Sequence, residues 1–174
     1  MIQPEKETLV AAIEQNLNLA RYQIVPRVLV FVWRGELLLL LKIKGKGRWD
    51  GRYNGLGGHI ERGETPIEAA YRELMEESGL QADLRLVGTL LIDTGENPGI
   101  GLFIFSGEAR PGQLVPSDEG DLAWILPGDV EHLPLLDDVP ILLRRIREMR
   151  FGNEPFSARS FYDADGNLQI VFSA

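Results

Sequence analysis

Three glutamates on one short stretch define the chemistry open to this chain. Glu73, Glu76 and Glu77 stand at i, i+3 and i+4, so on a helix their carboxylates fall within an arc of about 100°, with neighbouring Cβ atoms roughly 5–6 Å apart. Like charges at this spacing repel one another, and a purely structural helix would alternate signs. Arg72 offsets part of the charge through Glu68 or Glu76, each four residues away. The remaining negative face calls for a divalent cation. Carboxylate and main-chain oxygens are hard ligands suited to Mg2+ or Mn2+, and a chain with no cysteine and two histidines offers little to zinc or copper. Mg2+ commonly takes one or two carboxylates and completes its shell with water and substrate phosphate oxygens. The expected ligand is therefore a polyphosphate.

Those glutamates need a helix of defined length to carry them. Thr65, Pro66 and Glu68 supply a start, with a Thr N-cap, a Pro at the first helical position and a Glu placed to close a capping box. Gly79 supplies the stop. Between them Ile67, Tyr71, Leu74 and Ser78, with Ala70 and Met75 alongside, are expected to pack inward, leaving the three glutamates on the opposite side. Upstream, Asn54-Gly55-Leu56-Gly57-Gly58 lets backbone approach a ligand without interference from Cβ atoms. Taken alone such a segment is usually just a turn. Joined to an acidic helix, it reads as part of a binding site.

From Gly58 to Leu80 the chain resembles the Nudix box at every specified position: Gly58, Glu64, Arg72, Glu73, Leu74, Glu76, Glu77, Gly79 and Leu80. The resemblance implies an α/β/α sandwich around a mixed sheet, and hydrolysis of nucleoside diphosphates linked to another moiety with one to three Mg2+ or Mn2+ ions. It implies that Glu73, Glu76 and Glu77 hold metal, helped by the Gly57 carbonyl. Glu64 and Arg72 would shape the junction between loop and helix. Family members often add a later carboxylate as metal ligand or water base, and Glu119 is the candidate. Beyond the box, Gly51 to Gly58, Ser117-Asp118-Glu119 with Trp124, and Asp137-Asp138 resemble the MutT-type purine nucleoside triphosphatases that act on oxidised nucleotides. In that subfamily the Asn and the Asp pair contact the base, so Asn54, Asp137 and Asp138 are carried over. One departure stands out. Where the subfamily stacks an aromatic on the purine, this chain has Leu135. The implied reaction is Mg2+-dependent conversion of an oxidised purine dNTP to monophosphate and pyrophosphate, as in nucleotide-pool sanitation. The alternatives are a dinucleoside polyphosphate, a nucleotide sugar or capped RNA as substrate, or a catalytically silent nucleotide-binding regulatory domain.

Composition narrows the setting. At 174 residues the chain is expected to be a single domain spanning 1–174, with 44% hydrophobic residues to build a core. A net charge of −8 opposes nonspecific nucleic-acid binding, so no stable nucleic-acid partner is expected. Lys42, Lys44, Lys46, Arg48 and Arg52 form a local exception, either holding a polyphosphate or forming a solvated basic edge. The apolar run Leu37–Leu41 is far short of the roughly 20 residues of a membrane span, and Met1–Glu7 lacks the pattern of a signal peptide. A cytoplasmic protein, monomer or homodimer, is expected.

Apolar periodicity places the other elements. Residues 4–20 read as a helical extension of the segment 1–22, packing on its own domain or mediating a dimer. Residues 24–33 and 36–43 read as a hairpin of buried strands, 83–92 and 100–108 as two strands about a Gly-Pro turn, and 122–126 as a shorter one. Val139 to Met149 reads as a helix, and 155–173 as a terminal hairpin. Asp137 and Asp138 stand where they would either cap that helix or meet a base. Strands around two helices favour a layered α/β (α+β) domain.

Overall fold

Successive side chains of a strand point to opposite faces, and in the strand β1 (Ile24–Arg34) this alternation sets the layering of the molecule. Val28, Val30 and Val32 enter one core, while Leu29 and Phe31 enter the other. Both faces of β1 are dry, which explains why its sequence is an unbroken apolar run. The computed structural model describes residues 21–115, 117–150 and 152–173. The helical reading of residues 4–20 lies outside them.

The hairpin expected about Arg34-Gly35 is present, with β2 (Leu37–Ile43) antiparallel to β1 and Val32 opposite Leu39. β3 (Tyr53–Asn54) adds to β2 through Leu41 and Lys42. The strands β4 (Ala82–Ile92) and β5 (Gly99–Ala109) pair antiparallel, and β5 lies parallel to β1 from Ile24 opposite Gly99 to Trp33 opposite Glu108. β6 (Gly120–Ile125) pairs antiparallel with β2, β7 (Phe156–Tyr162) pairs parallel with β4, and β8 (Leu168–Phe172) closes the terminal hairpin. The result is one mixed sheet in the order β3-β2-β1-β5-β4-β7-β8, with β6 also on β2. The helix α1 (Pro66–Ser78) packs on the valine face of β1. The short helix α2 (Pro127–Val130) and α3 (Val139–Glu148) pack on the other. This is the expected α/β/α sandwich.

The ends of α1 follow local chemistry. Thr65 and Glu68 form the capping box reciprocally, Pro66 occupies the first turn, and Gly79 stops the helix at φ 71° with its N–H donating to Met75 O at 2.9 Å. Its inward face differs from the sequence expectation. Tyr71 and Met75 are 44% and 43% exposed, whereas Ala69, Ala70, Leu74, Glu77 and Ser78 are buried. Two alanines let the helix sit close to the sheet, and that rotation turns the larger Tyr71 and Met75 outward. Ser78 tolerates burial because its Oγ donates to Leu74 O at 2.6 Å. Glu68 is also not available to Arg72, since it is spent on the cap.

The rotated face has a measurable consequence. Leu74→Ala is expected to cost about 2–5 kcal/mol of unfolding free energy, whereas Tyr71→Ala should change it by roughly 0.5 kcal/mol. Urea denaturation of the two variants checks this, and equal losses would contradict the packing described.

Candidate active site

The glycine-rich segment after β3 runs antiparallel along β1. Val30 and Leu56 exchange N–H···O bonds of 2.7 and 3.1 Å, Val28 N–H donates to Gly58 O at 2.9 Å, and Ile60 N–H to Pro26 O at 3.2 Å. This ladder brings Gly57 and Gly58 against α1. A Cβ on Gly57 would lie 2.1 Å from Val28 O, and one on Gly58 would lie 2.3 Å from Glu73 Oε1. At Gly57 no Cβ fits against that backbone, and at Gly58 a Cβ fits only if the Glu73 carboxylate moves aside. Gly57 N–H donates to Glu77 Oε2 at 3.0 Å, which is what permits Glu77 to lie on the inward face. The sequence reading placed Glu77 with the exposed carboxylates; it is 5% exposed.

Arg72 is the hub of the remaining charges. Its Nε and Nη2 meet the two oxygens of Glu64 at 2.6 and 2.9 Å, Nη1 reaches Glu73 at 2.8 Å and Glu76 at 3.1 Å, and Nη2 also donates to His59 O at 3.0 Å. The bidentate contact, reinforced by Glu61 N–H, holds the Glu64 carboxyl down to about 2. The same carboxylates raise the affinity of the Arg72 guanidinium for its proton. His59, inside the box, is exposed and lies 2.9 Å from Arg27 through its ring Nε2.

Glu77 has the opposite environment. Burial pushes its carboxyl up to about 8, against the Gly57 N–H that favours the anion, and the charges of Glu73 and Glu119 push in the same direction as burial. Glu119 lies in the loop before β6. Its own ion-pair partner is Lys46. Among the described residues no three His, Cys, Asp or Glu side chains are grouped so as to hold a metal ion; Arg72 pairs with Glu73 and Glu76, and Lys46 with Glu119. The donor set fits a hard dication all the same. It is all oxygen, and burial disfavours the charge on one member, Glu77, which a dication would offset.

The basic run is largely spoken for. Lys44 pairs with Asp121 at 2.5 Å, Lys46 with Glu119, and Arg52 with Asp137 at 2.5 Å, while Lys42 sits over the Tyr53 ring and Arg48 over Trp49. The counter-ion role of Lys46 and the pairing of Arg52 depend on contacts 73 and 85 residues away, so nothing local could have signalled them.

Asn54, Asp137 and Asp138 are brought to one end of the sheet. Tyr53 N–H donates to Pro134 O at 2.9 Å and Leu136 N–H to Tyr53 O at 3.0 Å, so residues 134–136 lie alongside β3. Asn54 Oδ1 accepts from Gly55 N–H at 2.8 Å. Asp138 sits at the start of α3 without capping it through its side chain, and desolvation raises its pKa. Leu135, which replaces the expected aromatic, is buried in the α3-side core.

Comparison with known proteins agrees with this arrangement. Residues 23–146 match the family model described as the NUDIX domain. The chain is 34% identical over 129 residues to the oxidized purine nucleoside triphosphate hydrolase of Danio rerio, covering 69% of this chain and 80% of that protein. It is 32% identical over 122 residues to the NAD-capped RNA hydrolase NudC of Pseudomonas syringae, covering 67% of this chain but 42% of that one. Among solved structures, the MutT protein of Bacillus halodurans superposes with a TM-score of 0.71 at 24% identity, covering 86% of this chain and 98% of that one. A matched family spanning most of the chain, the sandwich fold and a complete box meeting its glycine-rich loop lead to one conclusion: the protein is a member of the Nudix hydrolase family, whose enzymes generally act on nucleotides with divalent metal ions.

Proposed function

We propose that the chain hydrolyses the pyrophosphate linkage of a nucleoside triphosphate, with oxidised purine dNTPs as the substrate class and a monophosphate and pyrophosphate as products. The observation that supports this reading is the seating of Glu73 and Glu77 against the Gly57-Gly58 backbone, in a chain 34% identical to a hydrolase of that class. Mg2+ is the proposed cofactor, with Mn2+ as a substitute, held by Glu73, Glu76, Glu77, Glu119 and the Gly57 carbonyl. Such a cation supplies charge that neutralises phosphate oxygens and acidifies water.

The protein's own groups do the rest. Gly57 and Gly58 leave the space in which the helix carboxylates face the loop. Arg72 and Glu64 hold the loop to the helix, so Glu73 and Glu76 arrive oriented. Glu119, Glu73 or Glu76 takes the proton from the attacking water. Asn54, Asp137 and Asp138 form the base-binding end of the site, where a carboxylate accepts hydrogen bonds from purine N–H groups and a protonated one donates to an oxygen. The molecule is proposed to act as a monomer or homodimer in the cytoplasm; among the described residues, no helix is long and apolar enough to cross a membrane.

A second reading is favoured by one specific observation. Leu135 is committed to the core, so a purine would lose the aromatic platform of the triphosphatase subfamily, and another nucleoside diphosphate derivative is the competing substrate. Magnesium-dependent phosphate release across purine triphosphates, their 8-oxo forms, dinucleoside polyphosphates, nucleotide sugars and capped RNA, with product identification, separates the two. The expected result is highest kcat/KM for an oxidised purine triphosphate. Glu76→Gln and Glu77→Gln should each lower kcat by about two or more orders of magnitude, a loss typical of removing a strong transition-state stabiliser, with the circular dichroism spectrum unchanged. Near-normal turnover in the double variant would refute the assignment. Gly58→Ala should lower turnover as well, because its Cβ needs the space of the Glu73 carboxylate; wild-type kcat there would show that Glu73 need not sit where it does.

A further inference from the structure

The two aspartates carried over as base readers have different surroundings, and one side chain makes the difference. Arg52 reaches from the residue before β3 to the segment that leads into α3. Its Nε donates to Leu135 O at 3.1 Å, its Nη2 donates to the same oxygen, and Nη2 also pairs with Asp137 Oδ1 at 2.5 Å. The second oxygen of Asp137 lies 3.5 Å from the Tyr162 hydroxyl. Asp137 is thus occupied at both oxygens by its own protein. Asp138 has neither contact and makes no side-chain cap to α3; its desolvated carboxylate faces the backbone N–H groups of Asp138 and Val139.

The backbone tells the same story. Tyr53 exchanges hydrogen bonds with residues 134 and 136 through its N–H and C=O, and no regular strand extends this pairing beyond an isolated bridge between Tyr53 and Leu135. Burial of Leu135 anchors one residue of this loop, and two backbone hydrogen bonds set its register on β3. The Arg52 guanidinium adds charge-assisted donors that lock the register of residues 135–138 against Asn54. Lysine could keep the charge but not the fork that grips the carbonyl and the carboxylate together.

Resting on the base-reading proposal above, we propose that Arg52 is a positioning residue that clamps the Leu135–Asp138 segment to the glycine-rich strand and commits Asp137 to that clamp, leaving Asp138 and Asn54 as the side chains that read the base. The aspartate pair is then a divided pair. One member builds the site and the other samples the substrate.

The test uses the full chain and two readouts. Amide hydrogen exchange without nucleotide reports the clamp itself: Arg52→Ala should accelerate exchange across residues 133–138, including Leu136 N–H, while α1 keeps its protection, and Arg52→Lys should fall between. Unchanged exchange in Arg52→Ala would overturn the clamp whatever the substrate is. Steady-state kinetics with dGTP, 8-oxo-dGTP and dATP then report the division of roles. Arg52→Ala and Asp137→Asn should each raise KM by about tenfold, the loss expected for a charge-assisted hydrogen bond, more than they lower kcat and similarly for each nucleotide, and the double variant should be no worse than either alone. Asp138→Asn should instead change the ratio of kcat/KM between nucleotides. A changed ratio in Asp137→Asn, with additive losses on combining it with Arg52→Ala, would overturn the division of the pair. Faster exchange with no effect of Asp138→Asn or Asn54→Ala on the ratio would leave the clamp standing and sink the base-reading proposal beneath it.

Discussion

The closest constraint in the molecule is the seating of the glycine-rich backbone on α1. Glu77 is buried and accepts a hydrogen bond from the Gly57 N–H. Leaving a buried polar group without such a partner costs about 1–3 kcal/mol, so the loop and the helix must hold one another at this distance. That requirement fixes Gly57 as glycine, since a Cβ there would strike Val28 O, and seats Gly58 against the Glu73 carboxylate. It also sets the rotation of α1, with alanines against the sheet and Tyr71 turned to solvent. Everything attributed to the site follows from a strand and a helix brought closer than ordinary side chains allow.

Charge is arranged to suit that approach. Arg72 satisfies Glu64, Glu73 and Glu76 from one guanidinium and adds the His59 carbonyl, which ties both ends of the loop to the middle of the helix. Glu77 is not among its partners and is raised chiefly by burial, while Glu119 pairs with Lys46, 73 residues away in sequence. The guanidinium thus organises the loop and the more accessible carboxylates, and the backbone of the glycine-rich segment takes the buried one.

Much of this was legible in the sequence because its causes are local. The Thr65-Pro66-Glu68 start and the Gly79 stop are read from capping chemistry that operates within one turn, and the strands of both hairpins are read from apolar periodicity and their turns. Those expectations match the structure within a residue or two. The inward face of α1 departs from the spacing-based expectation at Tyr71, Met75 and Glu77, because close packing on the sheet favours Ala69 beside Ala70 and Leu74, and the partner that lets Glu77 go inside lies 20 residues upstream. β3 and α2 are two and four residues long, too short to show a period. The pairing of Arg52 with Asp137 spans most of the domain, and the burial of Leu135 depends on a core assembled from β1, β2 and α3. Neither leaves a trace in neighbouring residues.

The parallel pairing of β1 with β5 carries a consequence for how the molecule comes into being. Ile24 is matched with Gly99 and Trp33 with Glu108, and the whole acidic box is threaded between these partners. During synthesis the box therefore leaves the ribosome well before the strand that completes its supporting sheet, and closing so large a loop is entropically slow. Until β5 arrives, α1 rests on a sheet whose central pairing is still missing. Completion of the support beneath the box and the long-range pairing of β1 with β5 are in this sense a single event.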